Sequence, residues 1–218
     1  MDNAGAVPAN QDEFRTQRTR YLNASGYALD LLEVCDALGL AGEVVAVGHS
    51  LGGLAALLAA GQRPGWFARL VLLGVSPRYL EAPGYAGGFT EQDLAMTYEA
   101  LTRDYGGWAD NLAQGVLGAA GEPGLVQGFA QAVRSVPPQL MLTVLCSVLQ
   151  GDHREALRQV RCPTLLLQSR HDIFVPLAVA EFLRERLPDA RLQIIETSGH
   201  LPHLTAPGPV AQAIRDFL

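Results

Sequence analysis

Four short runs of consecutive apolar residues stand out along the chain, separated by stretches in which apolar positions recur every three or four residues. The runs are Glu43 to Gly48, Arg69 to Val75, Thr164 to Gln168 and Leu192 to Glu196. Uninterrupted apolar strands of this length suit a parallel sheet covered on both faces. From Asn23, read as an N-cap, apolar residues fall at Tyr27, Leu31, Val34, Cys35 and Leu38, and the pattern stops at Gly39. That spacing predicts an amphipathic helix closed by a C-terminal glycine. Further helices are expected over Leu51 to Gly61, near 177 to 187 and from about 209 to 218. Residues 1 to 22 are polar, show no period and read as loop.

Between 80 and 160 the pattern changes. Glycines and prolines punctuate helical stretches near 90 to 104, 108 to 117, 124 to 134 and 138 to 150, with no strand among them. A βα rhythm therefore surrounds a helical insertion. The expected organisation is a core part over 1–79, a helical segment over 80–160 and a second core part over 161–218.

Composition narrows the function classes. The 218 residues are 49% hydrophobic and 17% charged, the balance of a packed globule. All 16 basic residues are scattered arginines against 22 acidic residues, giving a net charge of -6, so no basic stripe is available for phosphates and nucleic-acid binding is not expected. The three cysteines, Cys35, Cys146 and Cys162, are odd in number and set among apolar neighbours, which fits reduced thiols and a cytoplasmic location. The start Met1-Asp2-Asn3 carries no signal-peptide pattern, and the longest apolar run, Leu54 to Ala60, is too short to span a bilayer, so no membrane role is expected.

Gly48-His49-Ser50-Leu51-Gly52 is a G-x-S-x-G pattern, placed where an apolar strand ends and a helix begins. A sharp turn there lifts a serine hydroxyl out of the sheet, so Ser50 is a nucleophile candidate; the plainer reading is a serine that caps the helix. A serine needs a base, and the base needs an orienting acid. Of five histidines, His49 would point away from Ser50, His153 lies in the helical insertion and His171 follows a strand. His200 is best placed, in a loop after the strand ending at Glu196, with His203 next. Asp172, four residues beyond the strand 164 to 168, completes the order Ser, Asp, His; Asp152 and Glu81 are weaker rivals, and a turn-forming role remains open for Asp172. No cofactor or metal motif is read.

Several segments together carry a more specific likeness: Gly48-His49-Ser50-Leu51-Gly52-Gly53, Ser76-Pro77-Arg78-Tyr79-Leu80, Tyr85-Ala86-Gly87-Gly88-Phe89, Tyr105-Gly106-Gly107-Trp108, Asp152-His153-Arg154-Glu155 and Gly199-His200-Leu201-Pro202-His203. The chain resembles the RsbQ-type α/β-hydrolases, a group that includes a bacterial stress-pathway regulator and the plant karrikin and strigolactone receptors. The resemblance implies an α/β-hydrolase fold, a mostly parallel sheet with a four-helix lid over an apolar pocket. It also implies a triad of Ser50, Asp172 and His200, with Leu51 N–H holding the oxyanion. Tyr79, Trp108 and Leu149 fall where that family lines its pocket, and each also reads as an ordinary core residue.

The group begins with further strands and a histidine-glycine loop that have no counterpart before the strand at 43. The sequence therefore reads as N-terminally truncated, with Val44 to Val47 at an open sheet edge that invites self-association and with turnover weakened by the missing oxyanion donor. The leading expectation is a serine hydrolase of small apolar esters or lactones. The alternative is a slow-turnover ligand receptor or signalling regulator with a protein partner.

Overall fold

The computed structural model describes residues 11–218. Its centre is a four-stranded parallel sheet in the order β1-β2-β3-β4: β1 (Val44–His49), β2 (Phe67–Leu73), β3 (Thr164–His171) and β4 (Ala190–Ser198). Parallel neighbours need long crossovers, and each is made through helix. Helix α1 is Gln11–Thr16, α2 is Ser25–Ala37, and α3 (Leu51–Gln62) joins β1 to β2. Between β2 and β3 lie α4 (Glu91–Arg103), α5 (Tyr105–Leu117), α6 (Pro123–Ser135) and α7 (Pro138–Leu149). The chain closes with α8 (Leu177–Arg186), the one-turn α9 (Pro202–Thr205) and α10 (Pro207–Phe217).

Strand side chains alternate between faces. Leu70, Leu72 and Leu166 turn toward a cluster containing Leu54 and Leu57 of α3 and Leu183 of α8. Val71, Leu73, Leu165, Leu167 and Ile195 turn the other way, onto Val210 and Ala213 of α10. The two-faced cover expected from the apolar runs is therefore present over β2 and β3. It is incomplete over β1, the edge strand, where Val45 is 38% and Val47 55% exposed while Val44 and Ala46 pack toward α3.

Local chemistry fixes the helix ends. Gly39 has φ 65° just beyond α2, and Leu40 N–H returns to Cys35 O at 2.9 Å, the left-handed closure that a glycine permits. Asn23 does not cap α2 directly: its side chain accepts from Ser25 N–H at 2.9 Å, and the helix starts at Ser25. Thr90 and Asp93 form a reciprocal capping box at α4. Asp104 accepts from Gly107 N–H at 3.0 Å, so α5 begins at Tyr105, three residues earlier than its apolar period suggested. Pro137 and Pro138 separate α6 from α7, whose axes differ by 102°.

The strands extend beyond their apolar runs: β2 starts at Phe67 and stops at Leu73, and β3 continues through Ser169, Arg170 and His171. Residues 1–22 were expected to be loop. Residues 1–10 lie outside the described residues, but Gln11–Thr16 is helical and Arg18–Leu22 is a 3-10 turn. Segments this short cannot display a period. Phe14 stacks on Tyr21 at 4.9 Å, Tyr21 meets Tyr27 at 5.0 Å, and the three rings are packed with Ala55, Val136 and Leu140, which are distant in sequence. No single helix among the described residues is long and apolar enough to cross a membrane.

Leu57 is fully buried between α3 and the sheet. Leu57→Ala is expected to destabilise the fold by about 2–5 kcal/mol, read from urea midpoints at unchanged m-value.

Candidate active site

The site is built where β1 ends. Ser50 has φ 49° and ψ -121°, and among the described residues it is the one non-glycine with positive φ. Its N–H is anchored to Leu73 O of β2 at 2.9 Å, and its carbonyl accepts from Leu54 N–H at 2.9 Å. The turn is possible because backbone passes close to backbone. A Cβ on Gly48 would stand 2.6 Å from the Gly53 Cα, and one on Gly53 would meet Val75 Cγ2 at 2.3 Å and Gly48 O at 2.8 Å. Gly52, the second glycine of the G-x-S-x-G pattern, faces open space. The steric requirement thus falls on Gly48 and Gly53. Leu51 opens α3, whose first N–H groups have no partner within the helix.

Asp172 and His200 come together from the ends of β3 and β4. His200 Nδ1 lies 2.8 Å from Asp172 Oδ2, with the aspartate side chain 1% and the histidine side chain 8% exposed. Asp172 Oδ1 accepts from Phe174 N–H at 2.8 Å and Val175 N–H at 3.1 Å, a turn closed on its own side chain. The turn-forming reading of Asp172 and its pairing with His200 therefore coexist in one carboxylate, one oxygen serving each. Gln168, treated in the sequence as the end of a strand, reaches Asp172 Oδ2 at 3.0 Å.

The His200 loop is held from both sides. Gly199 takes φ 94°, and its N–H reaches His171 O at 2.8 Å. His200 N–H donates to Val116 O of α5 at 2.6 Å, and Ser198 Oγ accepts from Ala120 N–H at 3.0 Å. His49 does turn away from Ser50: its Nε2 donates to the His200 carbonyl at 2.7 Å, and its ring lies 4.8 Å from that of His200 and 4.9 Å from that of His203.

A model of the alpha/beta hydrolase family matches residues 13–213. The chain belongs to that family. It is 35% identical over 216 residues to strigolactone esterase D14 of Arabidopsis thaliana, covering 99% of this chain and 79% of the relative. It is 34% identical over 207 residues to karrikin insensitive 2 receptor IA of Petunia hybrida, covering 94% and 74%. Among solved structures, olei00960, a hydrolase from Oleispira antarctica, superposes with a TM-score of 0.93 at 27% identity over 99% of this chain and 78% of that one.

The remaining candidates of this alpha/beta hydrolase fall as follows. Tyr79 and Leu149 share one buried cluster with Leu94 and Val175, whereas Trp108 stacks on Tyr105 at 5.7 Å in the next cluster; Leu145 borders both. Burial pushes the Tyr79 phenol up to about 12. Asp152 lies apart from the site, bonded to Arg154 and Arg78, whose hydrogen bonds hold its carboxyl well below the usual range. Glu81 accepts from Gly88 N–H in the loop after β2, His171 is exposed at the end of β3, and His153 is half-buried beside Gly151.

Burial pushes His49 down to about 3 and also lowers His203 and His153. In the unfolded chain these groups take up protons as pH falls through about 6.5, but in the folded protein they resist until lower pH. The unfolded state then binds more protons, so stability is lost as the solution is acidified below that point. The melting temperature is expected to fall between pH 7 and pH 4.5, above the range where Asp93, Asp152 and Glu196, all held low, protonate in the folded state. His49→Gln should flatten part of that fall.

The glycine geometry gives a second outcome. Gly53→Ala is expected to destabilise by about 1–3 kcal/mol through overpacking against Val75 and Gly48, whereas Gly52→Ala should be neutral or stabilising, as measured by thermal melts of the two variants.

Proposed function

We propose that this alpha/beta hydrolase cleaves small esters or lactones through Ser50, His200 and Asp172. The observation that carries the reading is the buried 2.8 Å pairing of His200 Nδ1 with Asp172 Oδ2, at the same end of the sheet as a serine held at positive φ. His200 Nε2 takes the Ser50 proton as Oγ bonds the substrate carbonyl carbon. Asp172 keeps the proton on Nδ1 and so leaves Nε2 free to accept. Leu51 N–H, at the start of α3, holds the oxyanion. The C–O bond then breaks, the alkoxide leaves with the proton from His200, and water repeats the sequence in reverse to free Ser50.

The helices between β2 and β3 act as a lid in this reading, with Tyr79, Leu149 and Trp108 favouring an apolar acyl or lactone group. Burial keeps Tyr79 neutral, so its hydroxyl offers a polar handle in an otherwise apolar surround. The likeness to Ser76-Pro77-Arg78-Tyr79-Leu80 and Gly87-Gly88-Phe89 supports placing the chain with the RsbQ-type members. The second reading, a slow-turnover receptor, is favoured by relatives described as karrikin insensitive 2 receptors as well as by those described as esterases.

Ser50→Ala is expected to abolish fluorophosphonate labelling and hydrolysis of short aryl esters with the melting temperature retained. Asp172→Asn should lower kcat by about 10,000-fold, and the wild-type rate should rise with pH because only a neutral imidazole accepts the serine proton. Labelling that survives Ser50→Ala, or a flat rate from pH 5 to 8, would overturn the triad. A synthetic strigolactone that raises the melting temperature while releasing product far more slowly than an aryl ester does would favour the receptor.

A further inference from the structure

We propose that Gln168 is a positioning residue that locks Asp172 in the orientation His200 needs. The inference rests on the triad reading above and adds a residue that the G-x-S-x-G pattern and the Ser, Asp, His order leave out. Gln168 is 2% exposed at the point where β3 leaves its apolar run. Its Nε2 lies 3.0 Å from Asp172 Oδ2 and 2.9 Å from Val175 O. Both neighbours can only accept, a carboxylate oxygen and a backbone carbonyl, so the amide must present both hydrogens and its orientation is fixed by chemistry.

With Gln168 counted, Asp172 accepts four bonds: two backbone N–H groups on Oδ1, and the amide and the imidazole N–H on Oδ2. A carboxylate offers about four such positions, so each is filled. The two backbone donors secure Oδ1 and fix one end of the carboxylate. The amide is the donor that draws Oδ2 to the side where His200 waits, and through Val175 O it ties the same loop to the end of β3. Gln168 acts through Asp172: the structure gives it no contact with Ser50.

The ionisable groups around this pair are held away from the middle of the pH range or paired at the surface. His49 of β1 and His203 of α9 are held low by burial, Tyr79 after β2 is held high, and Arg170 pairs with Glu196 on the surface. Gln168→Met removes both donors at similar volume. Gln168→Glu adds a carboxyl about 3 Å from Asp172, and a second negative charge there disfavours loss of positive charge from the pair.

The test is ester kinetics on the full chain from pH 5 to 9, with Asp172→Asn in parallel. Gln168→Met is expected to lower kcat by about 100-fold with KM changed by less than about twofold, as a misaligned base would. Gln168→Glu should move the acid limb of kcat/KM upward by about one pH unit. If Gln168→Met does not fold, Gln168→Asn decides, since it keeps an amide but withdraws it from Asp172: a lowered kcat at unchanged KM supports the role and wild-type kcat overturns it. An unshifted limb, or a Gln168→Met enzyme with wild-type kcat beside an inactive Asp172→Asn, overturns the role of Gln168 and leaves the triad standing. Wild-type activity in Asp172→Asn overturns the triad and this assignment together.

Discussion

The close approach of β1 to the first turn of α3 is the constraint on which the rest depends. Gly48 and Gly53 let the strand and helix backbones pass at a distance that a methyl group would forbid, and Ser50 is left at φ 49° between them. Such a conformation costs of order 1–3 kcal/mol and persists only when the surroundings over-determine it. Here they do so through Ser50 N–H on Leu73 O, through the Ser50 carbonyl on Leu54 N–H, and through the packing of Leu54 and Leu57 into the sheet. The strain is thereby transferred to the burial of α3, the most apolar helix in the chain. The same turn presents a hydroxyl and the free N–H groups of a helix start on one side of the sheet.

Asp172 and His200 follow β3 and β4 and reach the same end of the parallel sheet as Ser50, and the order of strands decides that they can meet. Because β3 and β4 are parallel neighbours, the loops following them emerge at one edge, and 28 residues of chain collapse to a 2.8 Å bond between Asp172 and His200. That pair is fixed by contacts from three directions. Phe174 and Val175 secure one carboxylate oxygen, Gln168 reaches the other, and α5 accepts the His200 N–H through Val116 O. The last contact joins the helical insertion to the reacting loop. A Cβ on Gly199 would fall 2.6 Å from Val116 O and Leu117, so the insertion and the histidine loop are packed backbone to backbone there.

Burial also separates the histidines by function. His49 and His203 surround His200, yet desolvation holds both below the ordinary histidine range. They stay neutral where a base must accept a proton, and His49 spends its Nε2 hydrogen on the His200 carbonyl. The alpha/beta hydrolase match runs over residues 13–213, through the strands and the helices between them.

The sequence by itself determined the strands, the helical insertion and the order Ser50, Asp172, His200, because each is written in local features: apolar runs, periodic spacing, and a glycine-serine-glycine turn between a strand and a helix. The G-x-S-x-G pattern includes Gly52 and stops short of Gly53, whereas the close approach falls on Gly53, since open space and close backbone approach look alike when both residues are glycine. The two short helical segments over Gln11–Thr16 and Arg18–Leu22 were also beyond the sequence, because they are held by Phe14, Tyr21 and Tyr27 stacking across the chain. Gln168 carried only a faint signal, a polar residue closing an apolar strand. Tertiary structure alone decided that its amide meets Asp172, that His49 serves a carbonyl 151 residues away, and that Val45 and Val47 stay exposed while Val71 and Leu73 are covered. Those outcomes depend on which strand neighbours which and on where α10 lies, and such long-range pairings leave no mark on any single stretch of sequence.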